Sequence, residues 1–290
     1  MHTPRLACRR AGSGEPLLLL HGIGATRDDF AELVPRLAEH FDVLAVDLPG
    51  HGSSPMLPTR PTVESLGAAV AADLDAHGLD RVHVLGNSLG GRLALDLARR
   101  GRARSVVALS PSGLGLPPER AFQGLLMAVA RIVNKARSPL IERMSDSAVG
   151  RTALTAGLRA LPWRTSKAES LSVKGGFAES EGYWSMLWNA VLTDVPTGLD
   201  RISCPVTLAQ GVLDVVASAQ TVRYVPLIPG ARFVPLPWAG HAPQSDAPVA
   251  IVDLVRRTAA QAYSGAGSSV DPDAARDDPD AVGPLADGLA

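Results

Sequence analysis

The stretch VHVLGNSLGGRLALDLARR, residues 82–100, sets one serine among glycines in the pattern Gly86-x-Ser88-x-Gly90. A serine hydroxyl is a weak nucleophile until it is held clear of its own chain and beside a base. A tight turn with small neighbours does the first of these jobs, because other chain segments can then pass close by. The chemistry within reach is nucleophilic attack through a covalent intermediate.

The elements that must hold Ser88 are legible on either side of it. Val82, Val84 and Leu85 form a short run of β-branched and aliphatic residues, which predicts a buried strand. From Leu89 onward, Leu89, Leu93 and Leu97 recur at a helical period, and Gly101 stands where a left-handed residue would end the helix. Ser88 therefore lies where a strand turns directly into a helix. The free N–H groups and positive dipole end of that helix point at the same place.

The same alternation runs through most of the chain. Strands are expected at Leu17–Leu20, 43–46, 105–110, 205–211 and 231–237. Between them lie helical patterns with Phe30, Leu33, Val34 and Leu37 on one face, then Leu66, Val70 and Leu74 on another. Thr62 is placed to cap the second helix and Gly78 to close it, and a last helix is expected from about Pro248 to Ala262. Alternating strands and helices predict a mostly parallel sheet flanked by helices. Residues 112–200 break the rhythm with a helical, polar-aromatic stretch containing Trp163, Phe177, Trp184 and Trp188. The expected organisation is a core of 1–111 and 201–263, a helical cap of 112–200, and a tail of 264–290. The tail, with six Asp, one Arg and no aromatic residue, is expected to be disordered.

Composition narrows the function classes. At 290 residues and 46% hydrophobic, the chain has enough apolar material for a large core. A formal net charge of −1 does not suggest nucleic-acid binding. Cys8 and Cys204 are too few for a disulfide framework or a metal site, which suits a reducing cytoplasm. The early apolar run PLLLLHG is too short to span a membrane and lacks a signal-peptide cleavage site.

The motifs HGIG, DLPGHGSS, GNSLGG, GVLD and WAGHAP follow one another in that order between about Leu17 and Ala262. With them the chain resembles the α/β-hydrolase-fold serine hydrolases of esterase and lipase type. The resemblance implies a mostly parallel central sheet with a helical cap inserted after the sixth strand. It also implies a catalytic triad of Ser88 as nucleophile, Asp214 as acid and His241 as base, in the chain order of this fold. His241 would take the Ser88 proton and return it to the leaving group, while Asp214 would fix the imidazole tautomer. The backbone N–H groups of Ile23 and Leu89 would form the oxyanion hole. No cofactor and no metal are implied. The expected partner is a small, largely apolar substrate, with no nucleic acid and no stable membrane insertion.

Other residues compete for these roles. His2, His40 and His77 sit at a terminus or at helix ends, and His83 lies inside the elbow strand. His21 and His51 lie in two glycine loops, where bracing by hydrogen bonds is expected; Asp47 resembles the family's loop-bracing aspartate. Asp194 and Asp200 have no strand before them, which favours Asp214 as the acid. In FQGLLMAVARIVNKAR, the residues Phe122, Leu125, Leu126, Val129, Ile132 and Val133 share one helical face, expected to pack on the domain, with membrane contact as the alternative. Trp184 and Trp188 are expected in the cap core. The rival activities are carbon–carbon hydrolysis of ring-cleavage products and a cofactor-free haloperoxidase-like reaction. Relatives of the first kind usually carry Trp after the catalytic His, where this chain has Ala242. A non-catalytic small-molecule binder is the alternative of a different class.

Overall fold

The computed structural model describes residues 5–135, 139–217 and 219–264. Its centre is a seven-stranded sheet: β1 (Cys8–Ala11), β2 (Pro16–Leu20), β3 (Asp42–Val46), β4 (Val82–Asn87), β5 (Ala103–Leu109), β6 (Val206–Gly211) and β7 (Arg232–Leu236). The strand order is β1-β3-β2-β4-β5-β6-β7; β1 is antiparallel to β3 and every other pairing is parallel. After β2 the chain moves outward to β3, then returns to lay β4 on the other side of β2. Such a reversal opens a crevice at the carboxyl ends of the strands. The loops after β2 and β4 meet there, because Leu20 stands opposite Gly86 in the register.

The helices are α1 (Leu33–Ala38), α2 (Val63–Ala76), α3 (Leu89–Arg99), α4 (Pro117–Lys135), α5 (Pro139–Met144), α6 (Ala148–Thr155), α7 (Lys167–Glu179), α8 (Tyr183–Met186), α9 (Gln220–Tyr224), α10 (Pro243–Asp246) and α11 (Pro248–Ser264). Alternation along the strands sends side chains to both faces, so two cores form. Leu18, Leu20, Val82 and Val84 join α2 and α3 on one face, while Leu17, Leu19, Leu85 and Val107 meet Phe30, α1 and α11 on the other. Thr62 caps α2 as its position implies: its Oγ1 accepts from the Ser65 N–H at 3.2 Å, and its own N–H donates to Ser65 Oγ at 2.9 Å. Among the described residues no helix is long and apolar enough to cross a membrane.

Three features differ from expectation. The helical insertion follows the fifth strand, not the sixth: a single antiparallel edge strand, β1, and the four parallel strands β2 to β5 precede it. The second difference is α4, which does not rest on its apolar face. Leu125 is 65% exposed and Ile132 62%, and Phe122, Val129 and Val133 are also exposed, whereas Gln123, Met127, Arg131 and Asn134 are buried. The polar side is held by specific bonds. Arg131 donates to the Ser180 carbonyl at 3.0 Å and lies 5.1 Å from the Tyr183 ring centroid, and Gln220 donates to Gln123 at 3.4 Å. Third, Trp184 and Trp188 lie on the surface, with Trp188 60% exposed. The core side of α8 is filled instead by Tyr183 and Met186. The expected disordered tail lies outside the described residues beyond Ser264, which ends α11.

The turn at Ser88 depends on glycines for space. A Cβ on Gly86 would stand 2.2 Å from the Gly90 carbonyl oxygen, and one on Gly90 would stand 2.0 Å from the Leu20 carbonyl oxygen. Backbone cannot yield there as a flexible side chain would. Gly90→Ala should therefore destabilise the protein by about 3 kcal/mol or more, at the upper end of single-substitution effects. Chemical denaturation followed by circular dichroism checks this; a variant as stable as the parent would contradict the close approach.

Candidate active site

Ser88 stands between β4 and α3 with φ 54° and ψ −113°, in the left-handed half of backbone space that a side chain rarely enters. The conformation persists because the surroundings hold it. Its N–H donates to the Leu109 carbonyl at 2.8 Å, and its own carbonyl accepts from Arg92 N–H at 3.0 Å. Ser110 and Trp238 also have positive φ, just beyond the carboxyl ends of β5 and β7, so strained backbone gathers along this edge of the sheet.

Asp214 follows β6 and His241 follows β7, and the pairing of these two strands brings the loops together. His241 Nδ1 lies 3.1 and 3.0 Å from the two Asp214 oxygens. Asp214 Oδ1 also accepts the N–H groups of Val216 and Ala217 at 2.8 and 3.0 Å. Burial alone would push the Asp214 carboxyl up; His241 and the Ala217 N–H outweigh it and hold the group down at about 2. Asp214 is thus an acceptor toward His241 across the working range. With Nδ1–H directed at Asp214, Nε2 is left to act as a base. Ser88 and His241 line one cavity of about 80 Å³, and Ile23 lines it from the loop after β2. Leu89 is the first residue of α3, where an N–H has no partner within the helix.

The competing residues are occupied elsewhere. Asp194 accepts from Val63 N–H at 3.1 Å and pairs with Arg92 at 3.0 Å, and Asp200 is exposed. His83 bonds Ser105 Oγ at 2.8 Å, His77 bonds the Asp73 carbonyl at 2.8 Å, and His40 is exposed; His2 lies outside the described residues. His21 and His51 do brace the loops. His21 Nδ1 donates to the Gly22 carbonyl at 2.7 Å, while its Nε2 accepts from Leu48 N–H at 2.9 Å. His51 repeats the arrangement, with Nδ1 donating to the Pro49 carbonyl at 3.2 Å and Nε2 accepting from Gly24 N–H at 3.2 Å. Asp47 accepts from Arg27 N–H at 2.8 Å and from Ser53 N–H at 3.0 Å, and pairs with the Arg27 guanidinium.

Five polar residues at the site carry no motif strong enough to assign them a role from sequence. Asn87, next to Ser88, donates to the His241 carbonyl at 2.9 Å. Gln244, three residues after His241, donates to Asp29 at 2.5 Å and to Asn87 Oδ1 at 3.4 Å. Their closeness to Ser88 and His241 along the chain was the available signal. Asp29, Arg159 and Glu169 give the cavity one charged flank, with Arg159 and Glu169 paired at 3.0 Å. Burial raises the Asp29 carboxyl above its ordinary value, against the opposing pull of Arg159. Met127, Val173 and Phe177 bring apolar side chains to the same cavity from α4 and α7. The packing of α7 on the HGIG loop is close, since a Cβ on Gly176 would stand 2.4 Å from the Gly24 carbonyl oxygen.

A family model described as the alpha/beta hydrolase fold matches residues 15–248. The chain is 30% identical over 240 residues to a pimeloyl-[acyl-carrier protein] methyl ester esterase of Chromobacterium violaceum, covering 80% of this chain and 89% of that one. It is 37% identical over 109 residues to the dihydrolipoyllysine-residue acetyltransferase component of the acetoin cleaving system of Cupriavidus necator, covering 37% of this chain. That match spans only 29% of the acetyltransferase, and the chain spans less than two fifths of each of the first curated relatives it matches, at 29%, 38% and 37%. Among solved structures, an enol-lactonase from Burkholderia xenovorans LB400 has the same fold, with a TM-score of 0.67 at 23% identity, covering 87% of this chain and 95% of that one.

The histidine bonds lead to a pH dependence. Both Nε2 atoms accept backbone N–H groups, so protonation would break those bonds; burial, the chief cause, lowers His21 from 6.5 to about 4 and His51 to about 3. The unfolded chain then binds protons that the folded chain refuses. Their stability contribution is complete above the unfolded pKa near 6.5 and is lost as pH falls toward the folded values. By pH 5 the loss should be about 2 kcal/mol for each histidine. Urea denaturation at pH 7 and pH 5 measures it, and equal stability at both would mean that the two rings are not held neutral.

Proposed function

The chain belongs to the alpha/beta hydrolase fold family, and from that premise we propose that it is a serine hydrolase cleaving an ester-like bond of a small, largely apolar substrate. The observation that carries the proposal is the Asp214–His241 hydrogen bond, made beside the cavity to which the strained turn presents Ser88. The methyl ester esterase relative, 30% identical over most of the chain, supports an ester over other acyl bonds.

In this mechanism His241 Nε2 takes the Ser88 proton as the hydroxyl oxygen attacks the carbonyl carbon. Asp214 stabilises the imidazolium that forms and keeps the ring in the productive tautomer. Negative charge developing on the carbonyl oxygen is met by the N–H groups of Ile23 and Leu89. Such donors are fixed before the reaction, so no solvent has to reorganise, and each is worth about 10²–10³ in rate. The tetrahedral intermediate collapses as His241 returns the proton to the leaving alkoxide. Water, with His241 again as base, then hydrolyses the acyl-enzyme and restores Ser88. The helices inserted between β5 and β6 act as a cap, with Met127 and Phe177 limiting water at the reacting atoms. Two free cysteines, Cys8 exposed and Cys204 buried, support a reducing, cytoplasmic setting.

A fluorophosphonate probe should label the protein on Ser88, as read by mass spectrometry of the peptide. Ser88→Ala should lower kcat by about five to six orders of magnitude. A folded wild-type protein that takes no label would point instead to a non-catalytic binder.

Asp214→Asn should retain the fold and lose roughly three to four orders of magnitude in kcat toward p-nitrophenyl esters, through the wrong imidazole tautomer. The same loss from Asp194→Asn, with Asp214→Asn active, would reassign the acid. A clear preference for a ring-cleavage dienol-ketone over esters would replace the ester with a carbon–carbon bond.

A further inference from the structure

Two cavities share one wall. The space over Ser88 measures about 80 Å³, and a second of about 190 Å³ lies between α4 and α6. Met127, Leu158 and Phe177 line both. Beyond this wall the second cavity is lined by Leu126, Val129, Ala130, Ala153 and Leu154, among other residues that carry no charge. Among the described residues that line it, Asn134 is the one polar side chain; its Nδ2 donates to the Ala130 carbonyl at 2.8 Å, while its Oδ1 is buried without a partner. Neither space alone reaches the roughly 300 Å³ at which small-ligand sites begin, and together they come close to it.

Among the described residues, the second cavity offers a long apolar substrate held at Ser88 an apolar space in which to extend. Asp29, Arg159 and Glu169 line the space over Ser88, and covering those charges with methylene groups would strip them of water without replacing its bonds. Where the two cavities meet, the wall is three apolar side chains with an apolar space behind them. Met127 is the mobile element of that wall by chemistry: it is unbranched, turns about three side-chain bonds and adapts its shape at low cost.

We propose that the cavity between α4 and α6 binds the aliphatic chain of the substrate, reached from Ser88 past Met127. The proposal rests on the ester hydrolase assigned above and names its substrates as esters with a medium or long unbranched chain. Chains that end before Met127 gain nothing from the second cavity. Beyond it, each added methylene that leaves water should raise kcat/KM by up to about fourfold.

The test fills the cavity. Ala130→Phe and, separately, Leu154→Trp would be compared with wild type on p-nitrophenyl esters from acetate to decanoate and on acetate esters of alcohols from methyl to decyl. Wild type should favour the long members of one series, and each variant should lower the ratio of kcat/KM for the longest to the shortest member at least tenfold. A loss in the acyl series places the acyl half in the cavity; a loss in the alcohol series places the alcohol half there. Unchanged length dependence in both series, in variants that melt cooperatively, would overturn the proposal. If wild type turns over neither series, the hydrolase assignment fails, and 1-decanol decides the cavity separately. Decanol raising the melting temperature of wild type but not of Ala130→Phe would support it, and equal shifts would overturn it.

Discussion

A Cβ on Gly90 would stand 2.0 Å from the carbonyl oxygen of Leu20, and the site is built outward from that contact between two chain segments. It lets α3 begin against the end of β2, which puts the turn after β4 beside the HGIG loop. Ser88 then has room for a backbone conformation that would relax in a looser setting. Hydrogen bonds from its N–H and to its carbonyl fix it from both sides. The parts that follow, from the imidazole to the covering helices, are arranged around a hydroxyl whose position is set by backbone contact.

Polar side chains do the remaining positioning by holding loops together rather than by adding charge. His21 and His51, whose rings meet edge to face at 5.0 Å, stitch the HGIG loop to the loop after β3. Asn87 and Gln244 join the serine turn, the His241 loop and Asp29 through hydrogen bonds donated by their side-chain amides. Asp246 accepts from Gly240 N–H at 2.8 Å and from Ala160 N–H at 3.0 Å, tying the His241 loop to the helical insertion. Amides and neutral imidazoles suit these buried places, since they both donate and accept without placing an unpaired charge out of water.

One helix of the insertion, α4, reverses the usual relation between hydropathy and burial. Its buried side carries Gln123, Arg131 and Asn134 beside Met127, and its larger apolar side chains face outward. Arg131 explains much of this, because its guanidinium has both a carbonyl acceptor and an aromatic face only on the inner side. Arg92, 2% exposed, fastens the far end of the insertion through bonds of 2.8 Å to the carbonyls of Ala190 and Asp194. The insertion is therefore anchored to the core by cations on carbonyls as well as by packed apolar groups such as Met127, Phe177 and Tyr183.

The sequence by itself determined the elements of the core and the order of its functional loops. Runs such as Leu17–Leu20 and Val82–Leu85 are buried on both faces, so their composition identifies them without knowledge of their neighbours. Thr62, Gly78 and Gly101 mark helix boundaries through local backbone preferences, which operate wherever the helix lies. The nucleophile turn was legible for the same reason, while Asp214 and His241 were legible only through motif order and resemblance. Tertiary structure alone decided what depends on distant partners. No local pattern announces that Asn87 will bond the His241 carbonyl, 154 positions away, or that Gln244 will meet Asp29, 215 positions away. Hydropathy pointed α4 the wrong way because it scores side chains one at a time. The orientation was set by acceptors and an aromatic ring on other segments, which exist only after the chain has folded around them.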